Sequence, residues 1–126
     1  MTDSDSRKIL VVDDSATMRM LISMTIKKSL PGIVVTEAVN GQDAVEKLKK
    51  DDIDLIITDI NMPEMDGTQL VKWVRESFNK DLPIIIVTTE GEEKEIEEGK
   101  MLGANAYITK PVKGQELKET IQGLLS

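Results

Sequence analysis

Short apolar runs punctuate the chain at Ile9–Val12, Ile33–Val35, Ile53–Ile57 and Ile84–Val87, with a weaker one at Ala106–Ile108. They are mostly continuous rather than alternating, as strands buried on both faces of a parallel sheet read. Between them the spacing turns helical. Met18, Leu21, Ile22, Thr25 and Ile26 form one stripe, and Ala44, Val45 and Leu48 a second. Leu70, Val71, Val74 and Phe78 form a third, and Leu117, Ile121 and Leu124 the last. Ile96–Leu102 offers only Ile96, Met101 and Leu102 for a buried face. Asn40 stands three before Asp43, and Asp66 three before Gln69, close to the capping-box pattern. Turns fall at Pro31-Gly32, Pro63, Asp66-Gly67 and Pro83.

The predicted order is βαβαβαβαβα. A helix in every crossover demands parallel pairing and right-handed connections. Five units are too few to close an eight-stranded barrel. The expected fold is α/β: a doubly wound (βα)5 open parallel sheet of order 2-1-3-4-5, flavodoxin-like. Such sheets place their site beyond the carboxyl ends of the strands, where the order reverses, here between the first and third strands. The first strand ends in Asp13-Asp14, the third in Thr58-Asp59 followed by Asn61, the fourth in Thr88-Thr89 and the fifth in Thr109-Lys110-Pro111. Three carboxylates, a hydroxyl and an ammonium should therefore share one rim. Glu37-Ala38, at the end of the second strand, should contribute less.

Composition narrows the chemistry. The 126 residues fit one domain, 7–126, behind a short polar tail at 1–6 that should be disordered. Lys plus Arg is 16 and Asp plus Glu is 23, a net charge of −7 without a basic block, which argues against nucleic acid. Cysteine and histidine are both absent, which excludes disulfides, thiolate zinc sites and imidazole chemistry. No apolar run approaches the ~18–20 residues of a membrane span, and the acidic start is unlike a secretion signal, so the cytoplasm is the expected compartment; a monomer is also expected.

Like charges ~4 Å apart repel by about 4 kcal/mol at an effective dielectric of 20. Three carboxylates on one rim therefore call for a proton or a cation. The donors are all hard oxygens, which suits Mg²⁺, with Mn²⁺ as a substitute. A carboxylate-held Mg²⁺ usually handles phosphate; Lys110 could neutralise a phosphoryl oxygen and Thr88 donate a hydrogen bond to another. The glutamates between Glu90 and Glu98 read as a solvated face, and Trp73 as a partly buried packing residue.

The segments ILVVDDS, IITDINMPEMDG, IIIVTTE and GANAYITKP, in that order and spacing, resemble the receiver domain of two-component response regulators. Asn61, Thr88-Thr89-Glu90 and Tyr107 are most similar to the CheY-like chemotaxis regulators, as is the lack of a following domain. The resemblance implies a stand-alone receiver in a phosphorelay, with Asp59 as phosphoacceptor. It implies that Asp13, Asp14, Asp59 and the backbone carbonyl of Asn61 hold Mg²⁺. Thr88 and Lys110 would bind the phosphoryl group, Thr88 and Tyr107 would form the switch, and Lys110-Pro111 matches a cis peptide. Asn61 and Glu90 stand where the family tunes dephosphorylation. The implied partners are a CheA-like sensor histidine kinase as donor, a phosphorylation-dependent target such as a flagellar motor switch, and a phosphatase. The chain departs from some chemotaxis members in having Ile60 where they have Trp, and in the acidic Glu90-Gly91-Glu92-Glu93 that opens the stretch after the fourth strand.

Two rival readings share the fold class. A Mg²⁺-dependent aspartyl-phosphate hydrolase would need a second acid two residues after its nucleophile, where Asn61 stands, and a cap insertion. A flavodoxin-like electron carrier would need a hydroxyl- and glycine-rich phosphate loop in place of Asp13-Asp14, and more than three aromatics. A phosphate-sink or relay role fits the receiver chemistry as well as motor control does.

Overall fold

The structure is a computed structural model that describes residues 7–60, 62, 65–88, 97, 100 and 103–125. The expected tail at 1–6, Asn61, Glu90 and most of the Ile96–Leu102 stretch lie outside the described residues.

Five strands, β1 (Lys8–Val12), β2 (Val34–Ala38), β3 (Leu55–Asp59), β4 (Ile84–Thr88) and β5 (Ala106–Thr109), form one sheet. Its order is β2-β1-β3-β4-β5, and every pairing is parallel, as predicted. The helices bounded within the described residues are α1 (Ala16–Ser29), α2 (Gly41–Lys50), α3 (Gly67–Trp73) and α4 (Gly114–Leu125).

Side chains alternate along each strand, so the sheet feeds two cores. Leu10, Val12, Ile56, Ile84 and Ile86 pack with Ala44, Leu48, Leu70 and Val71 of α2 and α3. Ile9, Val11, Leu55, Ile57, Ile85 and Val87 pack with Ile22 and Ile26 of α1 and Leu117 and Ile121 of α4. β3 and β4 are buried throughout, which explains their unbroken apolar runs. β2 differs: as an edge strand it leaves Val34 and Glu37 exposed and buries only Ala38 fully.

Local chemistry sets the helix ends. Ser15 caps α1, its hydroxyl accepting from the Met18 amide at 3.2 Å. Asn40 caps α2 by accepting from the Asp43 amide at 2.8 Å. Asp66 and Gln69 close a full capping box at the start of α3, each side chain accepting the other's amide at 2.9 Å.

Two positions in the helical stripes behave otherwise than their spacing predicts. Leu21 is 50% exposed, because the buried face of α1 runs through Ile22, Ser23 and Ile26. Phe78 is exposed because α3 continues as a π-helical turn over Val74–Phe78, closed by the Asn79 amide on the Val74 carbonyl at 2.7 Å. The wider turn breaks the 3.6-residue phase and carries Phe78 off the core face. Its ring instead stacks on the partly buried Trp73, with centroids 5.4 Å apart.

Candidate functional site

β1 and β3 lie side by side, with Val12 paired to Thr58, so their next residues emerge together at the carboxyl rim. Asp13 and Asp59 are both buried, whereas Asp14 is exposed. One carboxylate oxygen from each of Asp13, Asp14 and Asp59 lies within 4.8 Å of the others. β5 brings Lys110 across β4, the Lys110 amide donating to the Thr88 carbonyl at 2.7 Å. Its Nζ stands 3.2 Å from Asp59 Oδ2 and 3.8 Å from Asp13 Oδ2. The convergence expected from the strand ends is thus present for Asp13, Asp14, Asp59 and Lys110.

Backbone amides hold both buried acids. Asp59 Oδ1 accepts from the Ile60 amide at 2.7 Å, and Asp13 Oδ1 from the Ser15 amide at 2.9 Å. The other oxygen of Asp13 is buried and accepts no hydrogen bond. Burial holds the Asp13 carboxyl above its ordinary value, the Ser15 amide opposes this, and the Asp59 charge pushes it further up. The orphaned, buried oxygen of Asp13 is grouped with two more carboxylates, and among the described residues the Lys110 ammonium offsets part of that negative charge. Asp13, Asp14 and Asp59 offer only hard oxygen donors, so the residues present fit Mg²⁺.

The backbone beneath Asp59 is tightly constrained. The Gly67 amide donates to the Ile60 carbonyl at 2.8 Å, and a Cβ on Gly67 would run into the Asp59 carbonyl oxygen. Thr88 is fully buried at the end of β4, one residue beyond Val87, the partner of Asp59. Tyr107 on β5 is 40% exposed, and the Lys100 ammonium sits 4.6 Å from its ring centroid. The Tyr107 hydroxyl holds that ammonium above its ordinary value. Asn61 and Glu90 lie outside the described residues. Sequence reasoning missed Arg19, whose Nη1 donates to the Asp13 carbonyl at 2.7 Å from a turn deeper in α1. A cleft of about 510 Å³ between α1 and the segment after β5 is lined by Met18, Ile22, Thr25, Lys110 and Val112; it shares Lys110 with the rim but none of the acids.

A doubly wound sheet with three carboxylates and an ammonium at its switch point is a flavodoxin-like domain with an acidic rim able to hold a hard cation. Comparison with known proteins resolves that class. The family model for the response regulator receiver domain matches residues 9–122, and the chain belongs to that family. It is 48% identical over 120 residues to a chemotaxis protein CheY homolog of Campylobacter jejuni, covering 94% of this chain and 92% of that one. It is also similar to the structure of Vibrio cholerae chemotaxis protein CheY4, with 38% identity, a TM-score of 0.85, and coverage of 94% and 98% of the two chains. The response regulator TrrA of Thermotoga maritima, solved in complex with Mg(2+)-BeF, matches at 30% identity and a TM-score of 0.83, covering 94% of this chain and 98% of its own. The chain is therefore a CheY-like receiver of two-component signalling, a class of signalling proteins rather than turnover enzymes. No helix among the described residues is long and apolar enough to cross a membrane.

Proposed function

We propose that residues 7–126 accept a phosphoryl group on Asp59 from a phosphohistidine of a CheA-like sensor kinase. The acyl phosphate then changes the affinity of the domain for a protein target in cytoplasmic chemotaxis signalling, with a flagellar motor switch as the target proposed and a phosphate-sink or relay role as the alternative. The observation that carries this reading is the buried Asp59, 3.2 Å from Lys110 and grouped with Asp13 and Asp14.

The nucleophile needs no general base, since a carboxylate is already ionised at neutral pH. An Asp59 oxygen forms a bond to phosphorus as the nitrogen–phosphorus bond of the donor breaks, and the donor imidazole leaves with that electron pair. Lys110, held just past the end of β5, offsets charge on the arriving phosphoryl oxygens. Asp13, Asp14, Asp59 and the backbone carbonyl of Asn61 would hold Mg²⁺, which supplies the remaining positive charge for the dianionic group. Mn²⁺ fits the same donors.

The phosphoryl group then biases an equilibrium between two conformations. In this reading the Thr88 hydroxyl turns toward the phosphate and Tyr107 leaves its exposed place for the interior. A shift from 1:99 to 99:1 takes about 5.5 kcal/mol of differential stabilisation. New charge-assisted hydrogen bonds from Lys110 and Thr88 at ~1.5–3 kcal/mol each supply much of it. Water attacking in line opposite Asp59 ends the signal, and the resemblance to the receiver family assigns Asn61 and Glu90 to tuning that step; a phosphatase would act on it.

A transfer assay tests the reading. A chemotaxis-type histidine kinase carrying ³²P on histidine should pass its label to the wild-type chain within seconds in Mg²⁺. It should pass none to Asp59→Asn and little in EDTA. Label retained on the kinase, or moved equally to Asp59→Asn, would overturn it. The hydrolase reading predicts steady release of phosphate from small phosphomonoesters, which the proposed switch does not catalyse.

A further inference from the structure

The turn between β1 and α1 carries two of the three acids, yet it lies past the end of the ladder that holds β1. Asp13 keeps one sheet bond, its amide donating to the Ala38 carbonyl at 3.2 Å. Its own carbonyl, which belongs to the peptide leading into Asp14, accepts no backbone hydrogen bond among the described residues. Arg19 donates to it through Nη1 at 2.7 Å. The same guanidinium is held from its other edge, Nε donating to Glu37 Oε1 at 3.0 Å. Glu37 is itself tethered: Ser23 Oγ donates to its carboxylate at 3.3 Å, and Lys47 Nζ to its backbone carbonyl at 2.7 Å. Arg19 is only 15% exposed, so its rigid fork is confined between β2 and the acidic turn.

We infer that Arg19 is a positioning residue for the cation site, clamping the Asp13–Asp14 peptide to Glu37 so that both carboxylates stand at a fixed place on the rim. The inference rests on the cation-binding reading of Asp13, Asp14 and Asp59. It makes Glu37, at the end of the second strand, part of the support for that site.

The sign of one change separates positioning from simple charge. A guanidinium beside a cation site repels the cation. If charge alone mattered, removing Arg19 would tighten divalent binding, and replacing it with lysine would change nothing. If Arg19 positions the turn, both replacements weaken binding, because neither methionine nor a single ammonium can bridge the Asp13 carbonyl and Glu37. Groups that orient metal ligands from behind typically contribute about 10-fold or more in affinity.

Mg²⁺ is titrated into the full metal-free chain, with the Asp13 and Asp14 amide signals followed by NMR and folding checked by thermal unfolding in EDTA. Asp14→Asn serves as the control for the site itself. Arg19→Met and Arg19→Lys should each raise the Mg²⁺ dissociation constant roughly 10-fold while remaining folded. Should Arg19→Met destabilise the fold, the charge-conserving Arg19→Lys still decides. Unchanged or tighter binding in the Arg19 variants, with Asp14→Asn weakened, overturns the positioning role and leaves the cation site standing. Unchanged binding in Asp14→Asn overturns both.

Discussion

Asp13→Asn should stabilise the metal-free protein at neutral pH, although it replaces a buried residue. At separations up to 4.8 Å, ionised Asp13 and Asp59 repel by about 3.5 kcal/mol at an effective dielectric of 20. The Lys110 ammonium at 3.8 Å from Asp13 returns about 4.4 kcal/mol on the same scale, so the two pairs nearly cancel. The exposed Asp14 adds about 1 kcal/mol or less, because water screens it. What remains is a buried charged oxygen that accepts no hydrogen bond, an unmet acceptor that costs about 1–3 kcal/mol. Asparagine keeps an oxygen for the Ser15 amide and turns a donor toward Asp59. The expected gain is about 1–3 kcal/mol, or roughly 4–12 °C in Tm for a chain of this size. The pH dependence has a fixed sign. The Asp13 carboxyl titrates above its ordinary 3.8 in the folded protein, so between that value and the raised one the native state binds more protons than the unfolded chain. Wild-type stability from this group therefore falls as pH rises through the window, and asparagine has no such loss. The advantage of the variant should be complete at neutral pH, shrink as pH falls through the raised value, and narrow again in millimolar Mg²⁺, which stabilises only the wild type appreciably. Calorimetric melts in EDTA and in Mg²⁺ across pH measure all three. A variant no more stable than wild type in EDTA at pH 7 would show that the buried Asp13 oxygen imposes no such cost.

Gly67→Ala should destabilise the fold by about 1–3 kcal/mol in urea titrations and perturb phosphorylation at Asp59, because its Cβ meets the Asp59 carbonyl oxygen. Asp66→Ala removes the capping box of α3 and should cost about 0.5–2 kcal/mol in the same titration, without altering Mg²⁺ affinity. Asn61→Arg should lengthen the lifetime of the phosphorylated protein by blocking water's approach or pairing with phosphoryl oxygens; equal stopped-flow decay would show that another group sets the clock.

The rim was legible because strand ends in a parallel sheet converge by topology. Asp13, Asp14, Asp59 and Lys110 are spread from 13 to 110 in the sequence, yet the order 2-1-3-4-5 alone brings them together. Burial on both faces made β3 and β4 plain, whereas β2, at an edge, carries polar residues that hide its length. Phe78 misled because the π-helical turn changes phase without an unusual residue in Val74–Phe78 to announce it. Arg19 escaped because its partners are a backbone carbonyl and a glutamate 18 residues away, neither of which leaves a periodic trace. Gly67 read as a turn residue, while its closeness to the backbone of Asp59 is a tertiary fact that no local pattern encodes.

In the proposed function one carboxylate, Asp59, carries the signal. The most direct measurement is mass spectrometry of the intact chain after acetyl phosphate and Mg²⁺, followed by borohydride reduction and peptide mapping. One phosphoryl group should appear, should be lost on mild base treatment, and should map to Asp59, with none on Asp59→Asn. A base-stable phosphate, or one mapped to Ser15 or Thr88 in the wild-type chain, would contradict the account.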